Sequence, residues 1–297
     1  MANKIFTIMK KELMDNLSIL KTFGYITVVL LIAHFFISKI KESSYLSLLD
    51  LQAKLMGEYF TLGFFLIAGI PFILYLIFLS SGAISREEDK GTFLLIFSRP
   101  VKRLDVLFGK FLGIFVYLIL INAYILFLFP SLEALFLGLS KSTLLSLYKI
   151  SIVLFVYSML LTAFMVSLAF VFSSKFKKTV FTSIVLFVIV LGIFLTPLIN
   201  YSGSTEKVYP NVFASLGIDV LEGFNLDLSP DSKLSFGGLT GVYARESESQ
   251  VDIYPPEIVE PLRIKIIPSW LNMLIFLFLI FVFFLISSFL INKKEVY

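Results

Sequence analysis

Six long apolar stretches, separated by short polar segments, set the rhythm of this chain. They run approximately over 22–38, 60–81, 106–129, 146–172, 179–200 and 269–291. A helix needs roughly 20 apolar residues to cross a ~30 Å hydrocarbon core, and each stretch approaches or exceeds that length. The first is the shortest and carries His34, the chain's one histidine. The pattern predicts an all-α polytopic membrane protein with six transmembrane helices. Ahead of them, Ile5, Ile8, Met9, Leu13, Leu17 and Leu20 recur at helical spacing against Lys4, Lys11, Glu12 and Asp15. That predicts an amphipathic helix lying in the membrane interface. Pro71 and Pro197 mark expected helix kinks.

Charge placement orients the helices. One set of connecting segments holds Lys4, Lys10, Lys11 and Lys21, then Arg86, Lys90, Arg99, Lys102 and Arg103, then Lys175, Lys177 and Lys178, and finally Lys293 and Lys294. The other set offers Lys39, Lys41, Lys54 and Lys141 before its last long loop. Basic residues in short loops favour the cytoplasm, so both termini are expected inside. Composition agrees: of 297 residues 58% are hydrophobic and 15% charged. Soluble domains carry about 25% charge, so this chain has too little polar surface to cover itself.

Residues 201–268 change character. Turn-forming clusters such as Ser229-Pro230-Asp231 and Pro255-Pro256 recur, and ten acids outnumber five bases. Val212, Phe213, Leu216 and Val220 suit one face of a short helix, and Leu262, Ile264 and Ile266 alternate like a strand. A loop this long usually has structure or function of its own. The expected organisation is therefore 1–200, the interfacial helix and helices one to five; 201–268, a small extracytoplasmic cap; and 269–297, helix six and a cytoplasmic tail.

Catalytic chemistry is sparse. The chain has no cysteine, which removes disulfides and thiolate metal sites. A single histidine argues against a histidine-based metal site. No Gly-x-x-x-x-Gly-Lys-Ser/Thr phosphate loop is present, Gly109-Lys110 being the nearest fragment. No central Asp or Glu interrupts a span, as a proton- or sodium-driven transporter would favour. Glu133, just past Pro130, reads as an interfacial residue, and Asn122 as a hydrogen-bonding group between helices. We expect no enzymatic activity, no bound cofactor or metal, and no nucleic-acid partner.

The densest polar island, residues 86–113, lies between two apolar runs. In it Glu87, Gly91, Thr92, Pro100, Arg103, Lys110 and Gly113 follow in fixed order. A glutamate and three further residues lead to Gly-Thr; an apolar run, a proline and an arginine three residues on lead to Lys-Phe-Leu-Gly. Ser85 or Thr92 suits a helix start, and Pro100 suits its end. This segment resembles the cytoplasmic loop of type-2 ATP-binding-cassette (ABC) exporter permeases. The amphipathic N-terminus and the closing Ile291-Asn292-Lys293-Lys294-Glu295 resemble that family too.

The resemblance implies a permease subunit of the cytoplasmic membrane that exports a substrate using ATP and magnesium bound by separate ABC ATPase subunits. It implies a second permease as dimer partner, identical or different, and makes Glu87, Gly91, Thr92, Pro100, Arg103 and Lys110 the ATPase-coupling loop. The chain departs from the family in its long acidic 201–268 region, which suits an extracytoplasmic protein partner. Two rival readings come from other classes: an ion-coupled secondary transporter or channel, and a membrane sensor or scaffold with a ligand-binding cap.

Overall fold

The computed structural model describes residues 2–16, 19–41, 48–89, 91, 102–202, 210–244, 262–265 and 267–293. Among them, ten helices carry the fold. They are α1 (Ala2–Asn16), α2 (Ile19–Lys41), α3 (Leu48–Ala68), α4 (Ile70–Asp89), α5 (Arg103–Leu137), α6 (Lys141–Lys175), α7 (Thr179–Ser202), α8 (Val212–Gly223), α9 (Pro230–Thr240) and α10 (Ser269–Lys293). A two-residue antiparallel pair, β1 (Tyr243–Ala244) with β2 (Leu262–Arg263), precedes α10.

Four helical stretches are long and apolar enough to span a membrane: Gln52–Asp89, Arg103–Phe136, Lys141–Lys175 and Ser269–Lys293. Shorter apolar helices at Thr22–Leu31 and Thr179–Leu195 occupy the other two expected positions. The chain is thus a multi-pass membrane protein. Its helices overrun the apolar stretches of the sequence. α5 and α6 have 35 residues each, about 52 Å at 1.5 Å per residue, against a hydrocarbon core of ~30 Å.

α6 is the centre of the bundle. Val153, Leu154, Tyr157, Leu161, Met165, Ala169 and Phe170 are all buried along it. By contrast α10 leaves Phe278, Phe281 and Phe289 exposed, an apolar face that suits lipid. In a bilayer apolar character does not itself drive helix association, so tight packing and hydrogen bonds must hold the bundle.

Two prolines show how that is done. At Pro71 the expected kink is a break: α3 ends at Ala68, Gly69 is non-helical, and α4 begins at Ile70. Pro130, inside α5, has no N–H for the carbonyl four residues back, Leu126. That oxygen is instead held by the Tyr59 hydroxyl of α3 at 2.8 Å and the Ser151 hydroxyl of α6 at 2.9 Å. The lost backbone bond becomes a three-helix junction.

Within 201–268, α8 and α9 pack against the long helices. α8 starts at Asn211, whose side chain accepts from the Phe213 and Ala214 amides. Phe213, Leu216 and Val220 are buried as expected, but Val212 is exposed. Phe213 packs on Phe164 of α6 and Phe194 of α7. Phe236 of α9 packs tilted on Phe60 and edge-on against Phe64 of α3. Both short helices are therefore wedged among the long ones. Of the expected strand Leu262–Ile266, Leu262 and Arg263 pair with β1, and Ile266 lies outside the described residues.

Candidate functional site: a shared lysine where three helices converge

The bundle has two polar ends. At the basal end lie α1, the last turns of α4, α6 and α10, and the first turns of α5. At the distal end lie the α5–α6 turn, α8 and α9.

Glycine spacing builds the basal site. Gly109 and Gly113 sit one helical turn apart on α5, and α1 lies directly across them. A Cβ at Gly109 would stand 2.8 Å from Ile8 Cβ, and one at Gly113 only 2.9 Å from the Met9 carbonyl oxygen. Only the missing side chains allow this approach, the use of paired small residues that brings membrane helices together. The approach in turn carries Glu12 of α1 up to Lys110.

Lys110 is 6% exposed and is the hub. Its ammonium makes an ion pair with Glu87 Oε1 of α4 at 2.6 Å and another with Glu12 Oε2 of α1 at 3.4 Å. It also donates to the Ala83 carbonyl of α4 at 2.8 Å. An ammonium has three donors and no acceptor, so these three partners match its capacity. A buried charge is costly unless paired and hydrogen-bonded; here it is both.

The same stretch of α4 is gripped from its other side. Ser173 of α6 accepts from the amides of Ile84 (3.0 Å) and Ser85 (3.1 Å), and donates to the Ser81 carbonyl at 2.9 Å. Side chains of α5 and α6 thus hold the backbone of α4 over residues 81–85. Ser85 caps no helix start, in contrast to the expectation: it lies within α4 and its hydroxyl donates to the Ser81 carbonyl. Beyond Glu87 the helix ends at Asp89, and Gly91 follows with φ +66°, its amide donating to the Glu88 carbonyl at 3.0 Å. Positive φ costs a glycine nothing and an L-residue about 1–2 kcal/mol, so Gly91 sets the direction in which the chain leaves α4.

Of the six residues singled out by sequence, Glu87 and Lys110 are in direct contact and Gly91 is one turn away. Arg103 reaches a further helix, α10. Its guanidinium donates to the carbonyls of Ile291 (2.9 Å) and Asn292 (3.0 Å), binding unsatisfied oxygens at the C-terminal end of α10, where a cation is also favoured by the helix dipole. Thr92 and Pro100 lie outside the described residues. Sequence reasoning missed Glu12 as a partner, although its place on the face of α1 and the Gly109–Gly113 pair signal a close helix contact. It also missed Ser173.

The distal end has its own cluster. Asp219 of α8 is 1% exposed and accepts from Arg263 on Oδ1 and from Asn272 of α10 at 2.6 Å on Oδ2. Glu222, one turn on, pairs with Arg263 and with Lys265 at 3.0 Å, and accepts from the Ser269 hydroxyl. Burial raises the Glu222 carboxyl, but Lys265 and Arg263 outweigh it and leave it below its ordinary value. This cluster clamps α8 to the strand pair and to the start of α10. Asn122 is buried in α5, and its amide nitrogen has no hydrogen-bond partner among the described residues.

No curated protein matches this sequence. A family model, described as ABC-2 family transporter protein, matches residues 6–296. The match takes in α1, both polar ends and α10, nearly the whole chain, and with the apolar helices already described it means that this protein belongs to the ABC-2 transporter family, as a membrane component of the type-2 ABC permease kind.

Proposed function

We propose that this chain is the permease subunit of an ABC exporter in the cytoplasmic membrane. It crosses the bilayer six times, with α2, α3–α4, α5, α6, α7 and α10 as spans and both termini inside. The basal end then faces the cytoplasm, and α8 and α9 stand toward the outer end of the bundle. Two permeases, identical or different, pair around the substrate path. Separate ABC ATPase subunits bind ATP and magnesium, since this chain contains no phosphate-binding loop. The outer region is the candidate dock for an extracytoplasmic protein.

The observation that carries this reading is the Lys110 hub. A motor acting on the membrane domain needs a lever joined to several helices at once. The 86–103 segment leaves α4 at Gly91 and re-enters α5 at Arg103, so a force on it reaches both. Glu87 passes displacement through Lys110 to α5 and α1, and Arg103 passes it to α10. Glu87, Gly91, Thr92, Pro100, Arg103 and Lys110 thereby form the coupling element, with Thr92 and Pro100 in the part that meets the ATPase.

The test is ATP hydrolysis by the assembled complex. Glu87→Lys sets two cations against each other at the hub, and Gly91→Val forces a β-branched residue into positive φ. Each should lower transport-coupled ATPase activity by roughly fivefold or more, the scale of a coupling free energy of 1 kcal/mol and above, while the complex still assembles. Unchanged activity in both variants would leave the segment as a connecting loop only.

A further inference from the structure

A cavity of about 590 Å³ lies between α2 and α5, away from both clusters. Its size falls within the range of small-molecule sites. Ile26 and Leu30 of α2 and Tyr124 and Phe129 of α5 form its apolar walls, and His34 and Glu133 line its distal part. From Thr22 to His34, both on its lining, the α2 wall runs twelve residues, about 18 Å. The cavity is long and mostly apolar, and its ionisable acid and imidazole, Glu133 and His34, stand at one end.

That end is one-sided in its chemistry. Glu133 is 2% exposed. Its Oε1 meets Nδ1 of His34 at 3.1 Å, and His34 itself is half exposed. Its Oε2 is buried with no hydrogen-bond partner among the described residues. A buried carboxylate oxygen without a donor is costly, so a group that brings donors suits this end of the cavity, and a cationic one also matches the carboxylate's charge. An acyl tail or an apolar helix of a second copy fills the walls and leaves Oε2 as it is.

We propose that this cavity binds an amphiphilic amine, its apolar body along Ile26, Leu30, Tyr124 and Phe129 and its ammonium on the Glu133 carboxylate. His34 occupies Oε1 in the empty site, and its exposure leaves it room to yield that oxygen. The site does not depend on the permease reading, because it uses neither the Lys110 hub nor an ATPase.

The test uses the full chain in phosphatidylcholine nanodiscs without any ATPase, so its outcome is separate from that of the coupling experiment. Monodansylcadaverine, an aromatic body with a primary ammonium, is titrated against protein-loaded and empty discs. Dansyl-aminohexanoic acid, the same body with a carboxylate, is the comparator. Saturable binding of the amine, tighter than the acid, is expected. Glu133→Gln should weaken the amine about ten- to hundredfold, the scale of one hydrogen bond to a charged group, and bring it level with the acid. Leu30→Trp, which fills the walls and spares the carboxylate, should weaken both probes. Equal binding of amine and acid would identify a lipid-tail groove and overturn the proposal. So would an amine isotherm that neither Glu133→Gln nor Leu30→Trp alters. Absence of saturable amine binding, with Leu30→Trp changing the dimer fraction instead, would assign the groove to a second copy.

Discussion

The two polar ends of the molecule solve the same problem, buried charge, with different cations. At the basal end one lysine serves Glu87, Glu12 and the Ala83 carbonyl, on two other helices. At the distal end an arginine on β2 meets Asp219 and Glu222, with Lys265 and Asn272 completing the set. An ammonium is a compact charge on a flexible stem that keeps its contacts as partners slide; a guanidinium is a rigid fork that fixes carboxylates in place. The basal cluster is therefore built as a joint and the distal one as a clamp.

The largest effect is expected where the clamp is broken on one side. Arg263→Leu leaves Asp219 buried and uncompensated, a loss of about 3–5 kcal/mol. The double variant Arg263→Leu with Asp219→Asn should recover part of this, and thermal unfolding of the purified protein measures both. Additive losses would show that Asp219 and Arg263 do not act as a pair.

The joint should be more forgiving. Lys110→Met also strands two carboxylates, but Glu87 and Glu12 keep 20% and 17% side-chain exposure and can hydrate, so about 1–3 kcal/mol is expected. Gly113→Leu attacks the same joint by sterics, pushing α1 off α5. Both changes should speed amide exchange in α1 and leave α8 protected. Equal deprotection at the two ends would mean that the clusters are not separate units.

The smallest effect is a pH response confined to the clamp. The Glu222 carboxyl lies below its ordinary value of 4.5, so the stability it adds is present above about that pH and is lost as pH falls through the lower folded value. Half-exposed Lys265 and the partial exposure of Glu222 keep this small. The amide protection factors of α8, taken relative to intrinsic exchange, should fall below pH 4.5 in the wild type and lose that component in Glu222→Gln.

What was legible in the sequence follows the same division. Glu87, Gly91 and Lys110 stand in one short segment, so order and spacing single them out, while the Glu87–Lys110 contact shows only in the structure. The apolar runs at 106–129 and 146–172 mark the cores of the helices found at 103–137 and 141–175, and Pro71 marks a kink where the structure has a break. Glu12 meets Lys110 across 98 positions, and no local pattern announces that. Asp219 looked like one more acid in a solvated loop because its partners, Arg263 and Asn272, are 44 and 53 residues away. Arg103 was legible as a cation but not as a partner of α10, since the C-terminal carbonyls of a helix carry no sequence mark. For the same reason the Tyr59–Leu126 bond that answers Pro130 could be anticipated only as a need, without its donor.

The central claim is that the segment leaving α4 at Gly91 bears on a separate ATPase. A photoreactive benzoylphenylalanine in place of Lys90, within the intact complex, tests it most directly, with the same residue in place of exposed Ser235 on α9 as the distal control. The account predicts a covalent adduct between position 90 and the ATPase subunit, and none from position 235. An ATPase adduct from position 235 and none from position 90 would contradict it.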